Sequence, residues 1–316
     1  MGRNTPKITY KFIGANNVDD PTEVAGILAV DPTLILSEMS QLVNVDTDNN
    51  GKVSRRKGYT YINSTAPHSM WSNNKNCYFV ENGFLKQLNL DNSVSIVSTL
   101  PTNNKLVYEE VNNVVVISDG TIYKILQDNV LYDPIPKNGI TPVGGQILKL
   151  FKGRLYIANG SNIYFTLPYD IETLDTTTNI IPMPSYVKMI IAVEDGLFVS
   201  DSNAIYFLKG ESPEQFEVIK IANYPAIEGT AMQTRGEIFG EELQGVSDTA
   251  GIFATTQGIC VVGNNGFFKN ISKYKYQYKP GTVGTAVLKE QNGITQYIMN
   301  TYKEEDEHNI YIKNEL

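Results

Sequence analysis

Apolar residues in this chain fall in short runs, separated by Asn, Asp, Ser and Gly, and one such unit recurs. It reads Tyr78-Phe-Val-Glu-Asn-Gly-Phe-Leu85, then Val115-Val-Ile-Ser-Asp-Gly-Thr-Ile-Tyr123, then Leu155-Tyr-Ile-Ala-Asn-Gly-Ser-Asn-Ile-Tyr-Phe165. Leu197-Phe-Val-Ser-Asp-Ser-Asn-Ala-Ile-Tyr-Phe207 and Ile252-Phe-Ala-Thr-Thr-Gln-Gly-Ile-Cys-Val-Val262 follow. Each copy is an apolar run, a short turn tolerant of positive φ, and a second apolar run, which predicts a β-hairpin. Weaker copies flank the set: Val43 to Val53 before it, and Tyr297–Tyr302 with Asn309–Ile312 after it. Further strand-like runs, Ser93–Val97 and Phe216–Ile221, lie between hairpins.

The copies recur at roughly 30 to 55 residues, the range of propeller blades. Two hairpins per repeat make one four-stranded blade, and radial stacking buries both faces of each sheet while leaving only short edges. The expected fold is all-β: a β-propeller of six or seven blades, residues 43–316, its first and last strands sharing a blade. Residues 1–42 break the pattern and are expected to be an extended arm with one short helix. Asp31-Pro32 reads as an N-cap with proline at N1, and Ile35, Met39 and Leu42 follow at helical spacing. Asn223–Gly245, with Pro225, Gly229, Gly236 and Gly240, reads as a long loop.

Composition fits this picture. The chain has 316 residues, 41% hydrophobic and 19% charged, with net charge -8. That charge disfavours a protein that coats nucleic acid and suits a passage along which DNA slides without sticking. No long apolar run predicts a membrane span, and the N-terminus lacks the apolar core of a secretory signal, so synthesis in the cytosol is expected. Cys77 and Cys260 sit among apolar strand residues and read as ordinary buried thiols, not a disulfide framework or zinc site.

Catalytic signals are missing from the sequence. The two histidines, His68 and His308, accompany no nucleophile elbow, and there is no phosphate-binding Gly-x-x-x-x-Gly-Lys loop. No enzymatic activity, catalytic residue, cofactor or metal is expected. Asp46-Thr-Asp48-Asn-Asn50-Gly51 resembles half a calcium loop, but Lys57 stands where the bidentate Glu is needed, so a polar hairpin turn is the better reading. Arg55-Arg56-Lys57 is a cationic cluster; by composition alone it is a solvated or ion-paired strand. Tyr274, Tyr276 and Tyr278 form an aromatic stripe whose alternation predicts one side of a strand.

One resemblance adds to this. Gly14-Ala-Asn-Asn17, Pro21-Thr22, Leu42-Val-Asn-Val-Asp46, Gly51 and Arg55-Arg-Lys-Gly-Tyr59 together resemble the start of β-propeller virion proteins of tailed bacteriophages, the nozzle, tail-hub, tail tubular and packaged-DNA-stabilisation proteins. Lys57 stands where those families usually have proline. The resemblance covers about the first sixty residues. It implies a structural virion protein, assembled in the host cytoplasm. Copies of the chain would form a ring at the head-to-tail interface or tail nozzle, with portal, adaptor and tail proteins as neighbours. The ring would continue the channel for packaged double-stranded DNA, contact that DNA non-specifically and help retain it. Arg55, Arg56 and Lys57 would then lie at an inter-subunit or channel contact. The alternative is a host-recognition or carbohydrate-binding propeller on the virion.

Overall fold

The computed structural model describes residues 9–15, 28–31, 34–39, 45–47, 53–55, 66–239, 249–274, 276–291 and 294–303. Near the N-terminus, β1 (Thr9–Ala15), β2 (Leu28–Asp31) and β3 (Leu34–Met39) form a sheet in the order β1-β3-β2, with β1 parallel to β3. This overturns the expected helix. Leu34 and Leu36 alternate with Ile35 as readily as Ile35 and Met39 follow a helical turn, and pairing with strands on both sides settles the ambiguity for β. Next, β4 (Val45–Thr47) pairs antiparallel with β5 (Val53–Arg55), so the acidic motif between them is flanked by strands, as a hairpin requires.

Five four-stranded antiparallel sheets follow, each a meander in chain order. Sheet one holds β6 (His68–Ser72), β7 (Cys77–Glu81), β8 (Phe84–Leu88) and β9 (Val94–Thr99). Sheet two holds β10 (Val107–Val111), β11 (Val114–Ser118), β12 (Tyr123–Gln127) and β13 (Val130–Tyr132). Sheet three holds β14 (Ile147–Phe151), β15 (Arg154–Asn159), β16 (Asn162–Phe165) and β17 (Ile180–Pro182). Sheet four holds β18 (Val187–Val193), β19 (Gly196–Asp201), β20 (Ile205–Lys209) and β21 (Glu217–Ala222). Sheet five holds β22 (Met232–Arg235), β23 (Thr249–Thr255), β24 (Gly258–Gly263) and β25 (Phe267–Asn270). A last pair, β26 (Val283–Gln291) and β27 (Ile294–Tyr302), closes the described chain. Helix among the described residues is confined to single 3-10 turns such as Pro213–Gln215.

All five recurring units are the second and third strands of their sheets, and the turns fall as expected. Gly83, Gly120, Gly160 and Asn203 lie between those strands, and Gly258 opens β24 directly after the turn. Asn82 and Gly83 both have positive φ, 53° and 76°, the backbone of a two-residue hairpin that matches strand twist. Two expectations fail. Residues 223–245 are not wholly loop, since β22 is the first strand of sheet five. The hairpin entered by Tyr297–Tyr302 is made with β26 upstream, Gln291 opposite Ile294; Asn309–Ile312 lies outside the described residues.

Each second strand is buried on both faces, which explains its unbroken apolar run. Odd and even positions feed different cores. Val115 and Ile117 pack with Tyr78, Val80 and Leu85 of sheet one, whereas Val116 and Ile125 pack with Leu148, Leu155 and Ile157 of sheet three. Tyr156 and Phe165 join Val187 and Val199; Phe198 and Phe207 join Phe253 and Val262; Ile252 and Val261 meet Leu288 and Tyr297. Successive first strands lie side by side, β10 by β14, β14 by β18, β18 by β22, and β22 by β26. Sheets arranged face to face around their first strands make a propeller-like all-β fold.

Candidate functional site

In a meander, the first-to-second and third-to-fourth turns emerge on the same edge of the sheet. In sheet one these turns, Asn73–Asn76 and Asn89–Ser93, are both long and rich in Asn, and a cleft of about 670 Å³ lies between them. Its walls include Cys77, Gln87, Leu88 and Leu90.

The turns are held by their own side chains. Asn73 Oδ1 accepts the N–H groups of Lys75 (2.9 Å) and Asn76 (2.7 Å). Asn89 Nδ2 donates to Ser93 Oγ and Ser95 Oγ, both at 2.9 Å. Asp91 Oδ1 accepts from Ser93 Oγ (2.6 Å) and Ser93 N (2.9 Å); these bonds hold the Asp91 carboxyl below its usual range and fix it as a carboxylate. At the floor, amides form a chain into the next sheet. Gln87 Nε2 donates to Asn76 Oδ1, Asn129 Nδ2 donates to Gln87 Oε1, and Tyr78 OH donates to Asn129 Oδ1 at 2.7 Å. Beneath it Trp71 stacks between Tyr78 and Tyr108, with ring centroids 6.1 and 5.7 Å away.

The chemistry available is hydrogen bonding. Burial pushes the Cys77 thiol above its ordinary value, so it stays protonated at neutral pH and is a poor nucleophile. Asp91 is the one carboxylate among the lining residues, whereas glycoside hydrolysis uses two. Amides and hydroxyls in a concave wall suit a neutral, hydroxyl-rich ligand. Sequence reading missed this cleft. The signal was present in Asn73-Asn-Lys-Asn76 and Asn89–Ser93, but it becomes legible only once the two turns are known to share an edge.

The residues singled out from sequence lie elsewhere. Arg55 is exposed on β5 opposite Val45; Arg56 and Lys57 lie outside the described residues. His68 is tied into the exit of sheet one, its ring nitrogens facing Ser69 Oγ (2.9 Å) and Asn103 Oδ1 (3.3 Å); His308 lies outside the described residues. Cys260 is buried in the core between sheets four and five, its thiol pushed up to about 12 by burial. Tyr274, Tyr276 and Tyr278 do not line one side of a strand. They lie on an irregular segment after β25, where Tyr278 OH donates to Thr255 O at 2.7 Å. Their alternation comes from intervening Lys and Gln residues, and among the described residues no strand includes them.

No protein-family model matches the chain, and no curated relative does. Solved structures do. The extracellular domain of the hybrid two component system BT3049 from B. thetaiotaomicron is 12% identical at a TM-score of 0.50, over 80% of this chain and 37% of that one. Virginiamycin B lyase from Staphylococcus aureus is 13% identical at a TM-score of 0.45, covering 74% of this chain and 84% of the other. The N-terminal domain of Nup159 is 8% identical at 0.43, covering 73% and 71%. The likeness to the first concerns the fold and nothing further.

Proposed function

We propose that this chain is a non-catalytic β-propeller of six blades that serves as a structural protein in the virion of a tailed bacteriophage. The sixth blade has β26 and β27 as its inner strands and is completed by β4 and β5, so that the two ends of the chain share it. Copies form a ring at the head-to-tail interface or tail nozzle, among portal, adaptor and tail proteins, around the passage for packaged double-stranded DNA. The observation that carries this reading is the N-terminal motif ending in Arg55-Arg-Lys-Gly-Tyr59. Arg55 stands exposed at the end of β5, open to a carboxylate or phosphate that a guanidinium fork would bind. The test is cryo-electron microscopy of virions carrying a tagged copy of the chain. Ring density at the neck or tail is expected, and the tag elsewhere or absent overturns the reading.

A second reading rests on a different observation, the amide-lined cleft of sheet one. It favours a carbohydrate-binding propeller that recognises a neutral glycan on a host surface. A glycan array with the purified chain separates the two, because a purely structural ring protein retains no glycan.

A further inference from the structure

Residues 249–289 contain Lys269, Lys273, Lys275, Lys279 and Lys289 and no Asp or Glu, in a chain whose net charge is -8. Strands β23 to β25 and the segment leading into β26 are therefore a basic stretch in an acidic protein. Lys269, Lys273, Lys279 and Lys289 are exposed, and none forms an ion pair among the described residues. Cations left without carboxylates leave their field open to an incoming anion.

The segment carrying most of them is pinned at both ends. Ile271 N donates to Ile259 O (2.8 Å), Ser272 Oγ accepts Ile259 N (2.8 Å), and Tyr276 N donates to Ser272 O (2.9 Å). Beyond these contacts Tyr278 OH holds Thr255 O. Between the anchors the rings of Tyr274 and Tyr276 stand outward. Tyr274 is 74% exposed and Tyr276 43% exposed. Lys273 Nζ sits 5.2 Å from the centre of the Tyr274 ring. A pinned segment that presents two exposed aromatic rings beside ammonium groups with no carboxylate partner among the described residues meets both requirements for single-stranded nucleic acid: a stacking surface for bases and cations for phosphates. An acidic peptide would use the lysines and leave the rings idle.

We propose that the end of sheet five and the segment after it, residues 269–274 and 276–279, are a contact surface for single-stranded nucleic acid, with Tyr274 and Tyr276 stacking bases and Lys269, Lys273 and Lys279 holding phosphates. The surface does not rest on the virion reading; a chain that never enters a particle can still carry it.

Fluorescence anisotropy of the full chain with a labelled oligo-dT of about 20 nucleotides tests this. Binding is expected at about 20 mM salt, weakening steeply at about 200 mM because counterions released into a more concentrated solution gain less entropy. Tyr274→Ala with Tyr276→Ala should lower affinity about tenfold or more, Tyr274→Phe should retain it, and Lys273→Ala with Lys279→Ala should both weaken it and flatten its salt dependence. Lys220→Ala, on β21 of sheet four, should change nothing. Three results overturn the proposal. One is no binding at low salt. Another is unchanged binding by the tyrosine and lysine variants. The third is dextran sulfate competing as well as unlabelled oligo-dT while the tyrosine variants bind normally, which would mean an unselective polyanion surface.

Discussion

Ser200 Oγ accepts the backbone N–H of Ala226 at 2.9 Å, so the turn at the end of β19 in sheet four is bonded to the segment that enters sheet five. The same device recurs two sheets earlier, where Ser118 Oγ accepts Gly145 N at 2.7 Å and donates to Ile122 O. Each is a fully buried hydroxyl that closes its own turn and ties one sheet to the next. Removing it leaves a buried N–H with no acceptor. Ser200→Ala should cost about 1–3 kcal/mol in urea unfolding, while Lys220→Ala on the exposed outer strand should stay within about 0.5 kcal/mol. Equal effects would show that the serine bond does not join the sheets.

Gly229 governs the junction with the last strand pair. Its φ is +81°, and a Cβ there would run into the carbonyl oxygen of Gly284, the residue whose N–H bonds Glu228 O at 2.8 Å. Gly229→Ala therefore meets both a left-handed backbone and a backbone clash. A loss of more than about 1 kcal/mol is expected, with faster amide exchange in β26 and β27 than in sheet three. Uniform loss of protection across all sheets would contradict a local junction.

Alkali should unfold the protein cooperatively. Burial pushes Tyr224 and Tyr278 up to about 12, and it raises Tyr108, Tyr123, Tyr156 and Tyr297 as well. Raised tyrosines stabilise the fold fully below their unfolded value near 10, and that stability is lost as pH climbs through the folded values. Phenolate absorbance should accordingly lag behind free tyrosine above pH of about 10 and then rise together with loss of the β-sheet signal. A simple titration centred near 10, with the sheets intact, would contradict the burial of these rings.

Much of this fold could be read from the chain because the second strands carry apolar runs that end, in four of five sheets, in Asn-Gly, Asp-Gly or Asp-Ser, and burial on both faces requires such runs. The first strands were harder. Met232–Arg235 does alternate between half-buried and exposed positions, with Met232 against the Ile252 and Val261 core, but Met232 is its one apolar residue and so the sequence carries no visible period. Asn292-Gly293 is a strong hairpin signal and predicts the β26–β27 pair, yet the tyrosine-rich run after it drew the assignment downstream. The helix expected near residue 35 failed because three apolar residues fit two periods, and only tertiary pairing chooses between them. The cleft was illegible because its two walls are about fifteen residues apart and meet only through the meander.

The cleft makes a separable prediction. Asn76→Ala should break the amide chain at Gln87 and abolish any glycan retention while leaving thermal unfolding nearly unchanged, because Asn76 borders solvent. Glycan retention unaffected by this change would remove the cleft as the binding site.

For the basic hairpin, Arg55→Ala with Arg56→Ala should leave the isolated chain folded, within about 0.5 kcal/mol of the parent. The same pair should reduce incorporation into particles or retention of DNA, measured by particle yield and genome content. Infectious, DNA-filled particles at normal yield would exclude a contact role for these arginines.

Every core described above belongs to two sheets at once. A sheet cut from the chain would expose apolar residues on both sides and drag its neighbours toward unfolding. The molecule should therefore behave as coupled units in which losing one sheet strips both neighbours of half a core. The strength of each shared core, and not of any single sheet, sets how long the fold survives.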